Sequence, residues 1–155
     1  MILADVKIPP TLPQWMKDHV DRYLKSDGKD GHMYTASFPN MKPLTVPSLL
    51  LVTKGRKSGE KHLFPLFYGT AGNGYYVVAS KGGAPDHPGW YKNMLVHPEV
   101  EIQVGTKHLK ARARTTSGAE RQKLWDEAVK FWPSYADYQK KVPDREIPVV
   151  MLDPI

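Results

Sequence analysis

With 155 residues, 41% of them apolar and 25% charged, the chain has the size and composition of one globular domain with a real core. It contains no cysteine, which removes disulfides, thiolate catalysis and zinc–thiolate sites. A net charge of +6 favours an anionic partner: nucleic acid, an acidic membrane face or a phosphorylated ligand. No apolar run approaches the roughly 20 residues of a membrane helix, and no signal-peptide pattern opens the chain, so a cytoplasmic protein is expected.

Residues 1–12 carry little pattern and read as an arm. Pro13 to Lys25 is predicted to be a helix, with Met16, Val20, Tyr23 and Leu24 at helical spacing and Trp15 beside them. Ser26 to Gly31 is a polar break, and residues 32–47, with three prolines and no period, read as an irregular connection. Strands dominate from there. Ser48–Thr53 is an apolar run, Lys54–Gly59 a turn, and Lys61–Tyr68 the returning strand, whose Pro65 points to an edge or a bulge. The turn Ala71–Gly74 leads to a third strand at Tyr75–Ser80. After a loop at Lys81–Gly89 comes a short helix, Trp90–Val96, which ends before His97-Pro98. Val100–Val104 and Leu109–Thr115 form a further hairpin. Ser117 to Glu120 has the pattern of a capping box opening a helix with Leu124, Trp125, Ala128, Phe131 and Trp132 on its apolar stripe. Pro133 breaks that helix, Ser134–Lys141 is a second one, and Ile147–Leu152 is the last strand. About six strands, mostly joined as hairpins, with a few helices make an α+β protein, expected as a closed or split antiparallel barrel. Residues 1–47 are read as an arm and helix, and 48–155 as the binding portion, within a single domain.

Three segments carry chemistry. The first is Lys54-Gly55-Arg56-Lys57-Ser58-Gly59 with Lys61 and His62. Cations on a tight glycine turn can hold a phosphate, because turn N–H groups and a guanidinium fork converge on it. The other reading is a solvated hairpin tip. The second is Ser80-Lys81-Gly82-Gly83 with Pro88-Gly89-Trp90-Tyr91-Lys92-Asn93. A strand end, a glycine pair and a helix start make a common anion site. Glycine admits a flat ring, and Trp90 and Tyr91 can wall it. Equally, these aromatics can plug a barrel end. The third is Tyr135 and Tyr138, three apart on one helix face, which can line an apolar pocket or donate to a substrate oxygen, or simply pack. The six histidines show no paired ligand spacing, and neither a nucleophile elbow nor a dinucleotide fingerprint is present. Lys107, Lys110, Arg112 and Arg114 read as the solvated face of a hairpin, so no nucleic-acid partner is expected.

Six blocks, in order from Leu49 to Pro154, resemble the deazaflavin-dependent nitroreductase family of actinobacteria. They are Leu-Leu-Leu-Val-Thr-Lys-Gly-Arg-Lys-Ser-Gly, Pro65-Leu66-Phe67-Tyr68, Val-Val-Ala-Ser-Lys-Gly-Gly, Pro-x-Trp-Tyr-x-Asn, Pro-Ser-Tyr-x-x-Tyr and Arg145-x-Ile-Pro. The resemblance implies a split β-barrel related to FMN-binding barrels, and coenzyme F420, an 8-hydroxy-5-deazaflavin with a phosphate and an oligoglutamate tail. It implies that Arg56, Lys57 and Ser58 meet the tail, and that His62, Leu63, Phe64, Pro65, Leu66 and Phe67 run under the cofactor. Val78, Ala79, Ser80 and Lys81 would border it, and Gly89, Trp90, Tyr91, Lys92 and Asn93 would cover its other side. Ser80, Tyr135 and Tyr138 would line the acceptor pocket as the catalytic set. Two positions depart from the family pattern: His62 replaces the usual arginine, and Trp132 replaces a tyrosine often found before Pro133. The implied activity is hydride transfer from reduced F420 to an electron-poor acceptor, whether a quinone, an activated C=C as in coumarins and enones, or a nitroaromatic. Rival readings are an FMN-using oxidase on the same barrel, a cofactor carrier, and a nucleic-acid binder. The helix with Trp15 and several cations also suits a weak membrane-surface association.

Overall fold

In a computed structural model the chain is described at residues 6–37, 39 and 42–155; residues 1–5 of the expected arm, and 38, 40 and 41 of the expected connection, lie outside that description. The central element is β3 (Leu44–Lys54), whose apolar run arises because both of its faces are covered. Leu49 and Leu51 point into the main core with Val77, Ile102, Val150 and Leu152. Leu50 and Val52 point the other way, against Val20 and Tyr23 of helix α1 (Gln14–Lys25).

The sheet partners of β3 are β4 (Lys61–Phe67) and β7 (Glu99–Val104), and its first residues pair with β2 (Met33–Ala36). The sheet continues through β8 (Lys107–Thr115) and β9 (Val149–Pro154) to β6 (Gly74–Val78) and β5 (Gly69–Ala71). At the other end β1 (Val6–Lys7) runs parallel to β4, touching only Lys61 and His62. Beyond that point β4 is an edge on this side, which accommodates Pro65 without losing a ladder bond.

The described residues therefore form nine strands rather than the expected six, and the sheet path does not close. The extra strands are β1, β2 and β5, two to four residues each, too short to leave an alternating pattern. The expected irregular stretch 32–47 holds β2 and the start of β3. The remaining helices are α2 (Gly89–Val96), α3 (Gly118–Phe131) and α4 (Ser134–Lys141). Helices α3 and α4 bury Leu124, Ala128 and Tyr135 against Tyr76, Val78, Val149 and Met151, the outward side of β6 and β9. None of the helices is long and apolar enough to cross a membrane.

The capping box does not form. Ser117 is the N-cap residue but its side chain makes no capping bond, and Glu120 instead takes a bidentate contact from Arg114 of β8 at 2.7 and 2.9 Å.

Candidate functional site

The turn between β3 and β4 is closed by Gly55 N–H donating to Glu60 O at 2.7 Å and Gly59 N–H to Gly55 O at 3.0 Å. A side chain at position 55 would lie 2.7 Å from Ser58 Oγ and 3.0 Å from His62 Nε2, so it would displace both of these side chains from their places beside the turn. Asn93, buried on α2, organises the turn. Its Oδ1 accepts from Arg56 Nη1 at 2.8 Å and from Arg56 N–H at 3.2 Å, while its Nδ2 donates to Thr53 Oγ1 at 3.2 Å. Arg56 is thereby aimed across a cleft of about 410 Å³ lined by Lys57, Ser58, His62, Leu63 and Phe64 on one side and by Gly89, Trp90 and Asn93 on the other. Among the described residues no carboxylate lines it, so its donors suit an anion.

A second cavity, also about 410 Å³, adjoins the first, and Thr11, Phe64 and Trp90 line both. Its walls are Phe64, Pro65, Leu66 and Phe67 of β4, then Val78, Ser80, Lys81 and Gly82 at the end of β6, then Trp132, Tyr135 and Tyr138. The Tyr135 and Tyr138 rings meet edge to face at 6.2 Å. Burial above all, with Tyr138 and Tyr76 nearby, pushes the Tyr135 phenol well above its ordinary pKa, so it stays a neutral donor. Trp15, Met16 and His19 of α1 close the remaining side. His19 is 2% exposed; its Nε2 lies 2.7 Å from Gly31 O and 3.1 Å from Ser48 Oγ. Burial holds this imidazole below the ordinary histidine pKa, outweighing the Gly31 bond.

Most of the expected site residues converge on this double groove; three do not. Ala79 and Tyr91 point into the main core, where the Tyr91 hydroxyl meets Thr115 Oγ1 at 2.8 Å. Lys92 lies outside both cavities, 3.5 Å from Asp86, which also pairs with Lys81 at 3.2 Å. The residues that sequence reasoning missed are mainly Thr11, Leu12, Met16, His19 and Ser48. One signal was present: His19 sits at helical spacing inside the stripe Met16–Val20–Tyr23, where a polar ring has to find a buried partner.

The sequence profile described as F420H(2)-dependent quinone reductase matches residues 15–154. The chain belongs to this family. The reductase is 35% identical over 142 residues to the F420H(2)-dependent quinone reductase Rv1261c of Mycobacterium tuberculosis, covering 90% of this chain and 89% of the relative. Among solved structures it is similar to the F420-H2 dependent reductase FDR-A, with 44% identity, TM-score 0.64, and coverage of 69% of this chain and 94% of the other. It is also similar to a chain described as a domain-swapped dimer, with 38% identity, TM-score 0.66 and coverage of 90% and 98%. The reductase is thus an oxidoreductase whose cofactor is reduced coenzyme F420, and the basic cleft, lined by Arg56, Lys57 and His62, fits a ligand with a phosphate and a polyglutamate tail.

Proposed function

We propose that the reductase passes a hydride from reduced F420 to a quinone seated in the tyrosine-lined cavity, with coumarins, enones and nitroaromatics as further electron-poor acceptors. The observation that carries this reading is the shared wall. A cationic cleft and an apolar cavity of equal volume, about 410 Å³, meet at Phe64 and Trp90. A ligand with an anionic tail and a flat head can occupy both, with its head facing a second, uncharged molecule.

In this reading Arg56, Lys57, Ser58 and His62 hold the tail. Leu63 to Phe67 support the ring, Val78, Ser80 and Lys81 border it, and Gly89, Trp90 and Asn93 cover it. Ala79, Tyr91 and Lys92 act from behind, by packing and by the Asp86 contact. The bound cofactor supplies the hydride, and the protein supplies placement and a dry cavity. The hydroxyls of Ser80, Tyr135 and Tyr138 donate to the acceptor oxygen as charge develops on it, and one proton, from water or a phenol, completes the quinol. Trp15, 45% exposed at the cavity rim, supports weak contact with a membrane surface, where quinones reside.

The test is anaerobic rapid mixing of the reductase and reduced deazaflavin with a menaquinone analogue, a coumarin, a nitroimidazole and an enone, following the return of oxidised-cofactor absorbance. The quinone is expected to react fastest. Reoxidation no faster than in protein-free buffer with all four acceptors would sink the proposal.

A further inference from the structure

Just beyond β6, three consecutive residues take left-handed backbone conformations: Lys81 (φ 48°), Gly82 (φ 62°) and Gly83 (φ 81°). A lysine rarely holds this geometry unless its surroundings enforce it. The enforcing group is Arg145, on the segment between α4 and β9. Its Nη2 donates to Ser80 O at 2.8 Å and to Ala84 O at 2.9 Å. Its Nε donates to Ala84 O at 3.1 Å and its Nη1 to Ala79 O at 3.3 Å. On the far side of the turn a Cβ on Gly83 would come within 2.9 Å of Tyr138 O, so the turn is seated directly on α4. The fourth partner of the guanidinium is His87, whose Nδ1 lies 2.9 Å from Nη1. Arginine has no lone pair to offer, so Nδ1 accepts and carries no proton.

We infer that Arg145 and His87 form a clamp that positions Ser80 and the turn after it, and that the clamp loosens when His87 gains a proton. A planar fork is required, because one ammonium group cannot reach three carbonyl oxygens of a turn at once. Protonated His87 would set a cation against the guanidinium and remove its acceptor. The groups facing His87 are Arg145, Lys92 and Asp86, with the edge of Tyr91 at 4.9 Å. Burial, then Arg145 and Lys92, hold its pKa below 6.5, against the pull of Asp86. The link to turnover rests on the reading that Ser80 touches the acceptor; the clamp itself does not.

Amide hydrogen exchange tests the clamp on the full chain without cofactor. Gly83 N–H donates to Ser80 O at 3.0 Å and Ala84 N–H to Lys81 O at 3.1 Å, so both amides report on the turn. At pH 7.5, Arg145→Lys should speed their exchange at least tenfold, with the β3 amides of Leu49 to Val52 unchanged. After correction for intrinsic exchange, wild type at pH 5.5 should show a several-fold loosening of the same two amides. His87→Asn, which offers a side-chain oxygen near the Nδ1 position and does not titrate, should abolish that loosening. In turnover, Arg145→Lys should lower kcat at least tenfold. Wild-type exchange of Gly83 and Ala84 in Arg145→Lys, or a pH response that survives in His87→Asn, overturns the inference. If Arg145→Lys also loses β3 protection, His87→Asn decides, since it leaves the carbonyl bonds of Arg145 in place. A wild-type protein that reduces no acceptor refutes the proposed function, and the exchange results still stand or fall alone.

Discussion

At Arg56 one guanidinium nitrogen is spent on Asn93 while the residue stays exposed above the cleft, so its remaining donors are available to an anion in the cleft, the proposed place of the cofactor tail. A charge-assisted bond contributes about 1.5–3 kcal/mol, so Arg56→Ala should raise the cofactor Kd tenfold or more, read by quenching of deazaflavin fluorescence. Tyr138 borders the other cavity. Tyr138→Phe should cut kcat about tenfold and leave the cofactor Kd within twofold; unchanged kcat would remove the phenol from the mechanism. His19 ties acidity to stability. Its folded pKa is depressed, chiefly by burial, so the unfolded chain takes up the proton first. Stability is therefore full above the unfolded value of about 6.5 and is lost as pH falls from there towards the folded value. Urea midpoints at pH 7.5 and 5.5 should differ more in wild type than in His19→Gln, which keeps a donor near Nε2 without titrating. That Arg56, Lys57, Ser58, Ser80 and both tyrosines share one groove was legible from motif and resemblance. Ala79 and Tyr91 lie off the groove for a local reason: strand alternation and helix rotation turn them into the core.

Among the elements, α1 shows what tertiary packing adds. Its apolar stripe was plain in the sequence, but its dock was not. The Tyr23 hydroxyl, fully buried, donates to Ser48 O at 2.9 Å or Gln103 O at 3.1 Å and accepts from Gly105 N–H at 2.7 Å. Tyr23→Phe strands a buried N–H and should cost about 1–3 kcal/mol in urea unfolding. Just past the helix, Gly28 has φ 84°, and a Cβ there would lie 1.8 Å from Gly105 O. Gly28→Ala should therefore cost more than about 3 kcal/mol or prevent α1 from docking, seen as loss of its amide protection. Since α1 walls the cavity proposed to seat the acceptor, the same variant should impair turnover more than cofactor binding. The failed capping box has the same lesson in reverse. Ser117 and Glu120 have the right spacing, yet Arg114 on the neighbouring strand, itself paired with Asp153 at 2.8 Å, offers the carboxylate a better partner.

For the whole molecule, a charge of +6 and a cleft lined by Arg56, Lys57 and His62 predict that cofactor association is electrostatically steered. The association rate measured by stopped flow should fall several-fold between about 50 and 500 mM salt, as the Debye length shrinks, with a smaller change in the dissociation rate. The amino-acid sequence by itself determined the α+β class, the long strands, the four helices, the basic turn and the cofactor family, because each is written in local periodicity or in contiguous motifs. Only the tertiary structure decided that the described sheet stays open with nine strands, that α1 together with the sheet encloses the tyrosine-lined cavity, and that Arg145 reaches back across 65 residues to grip the Ser80 carbonyl. Those features depend on which distant groups come within hydrogen-bond or van der Waals reach once the core closes, and no local pattern encodes that proximity.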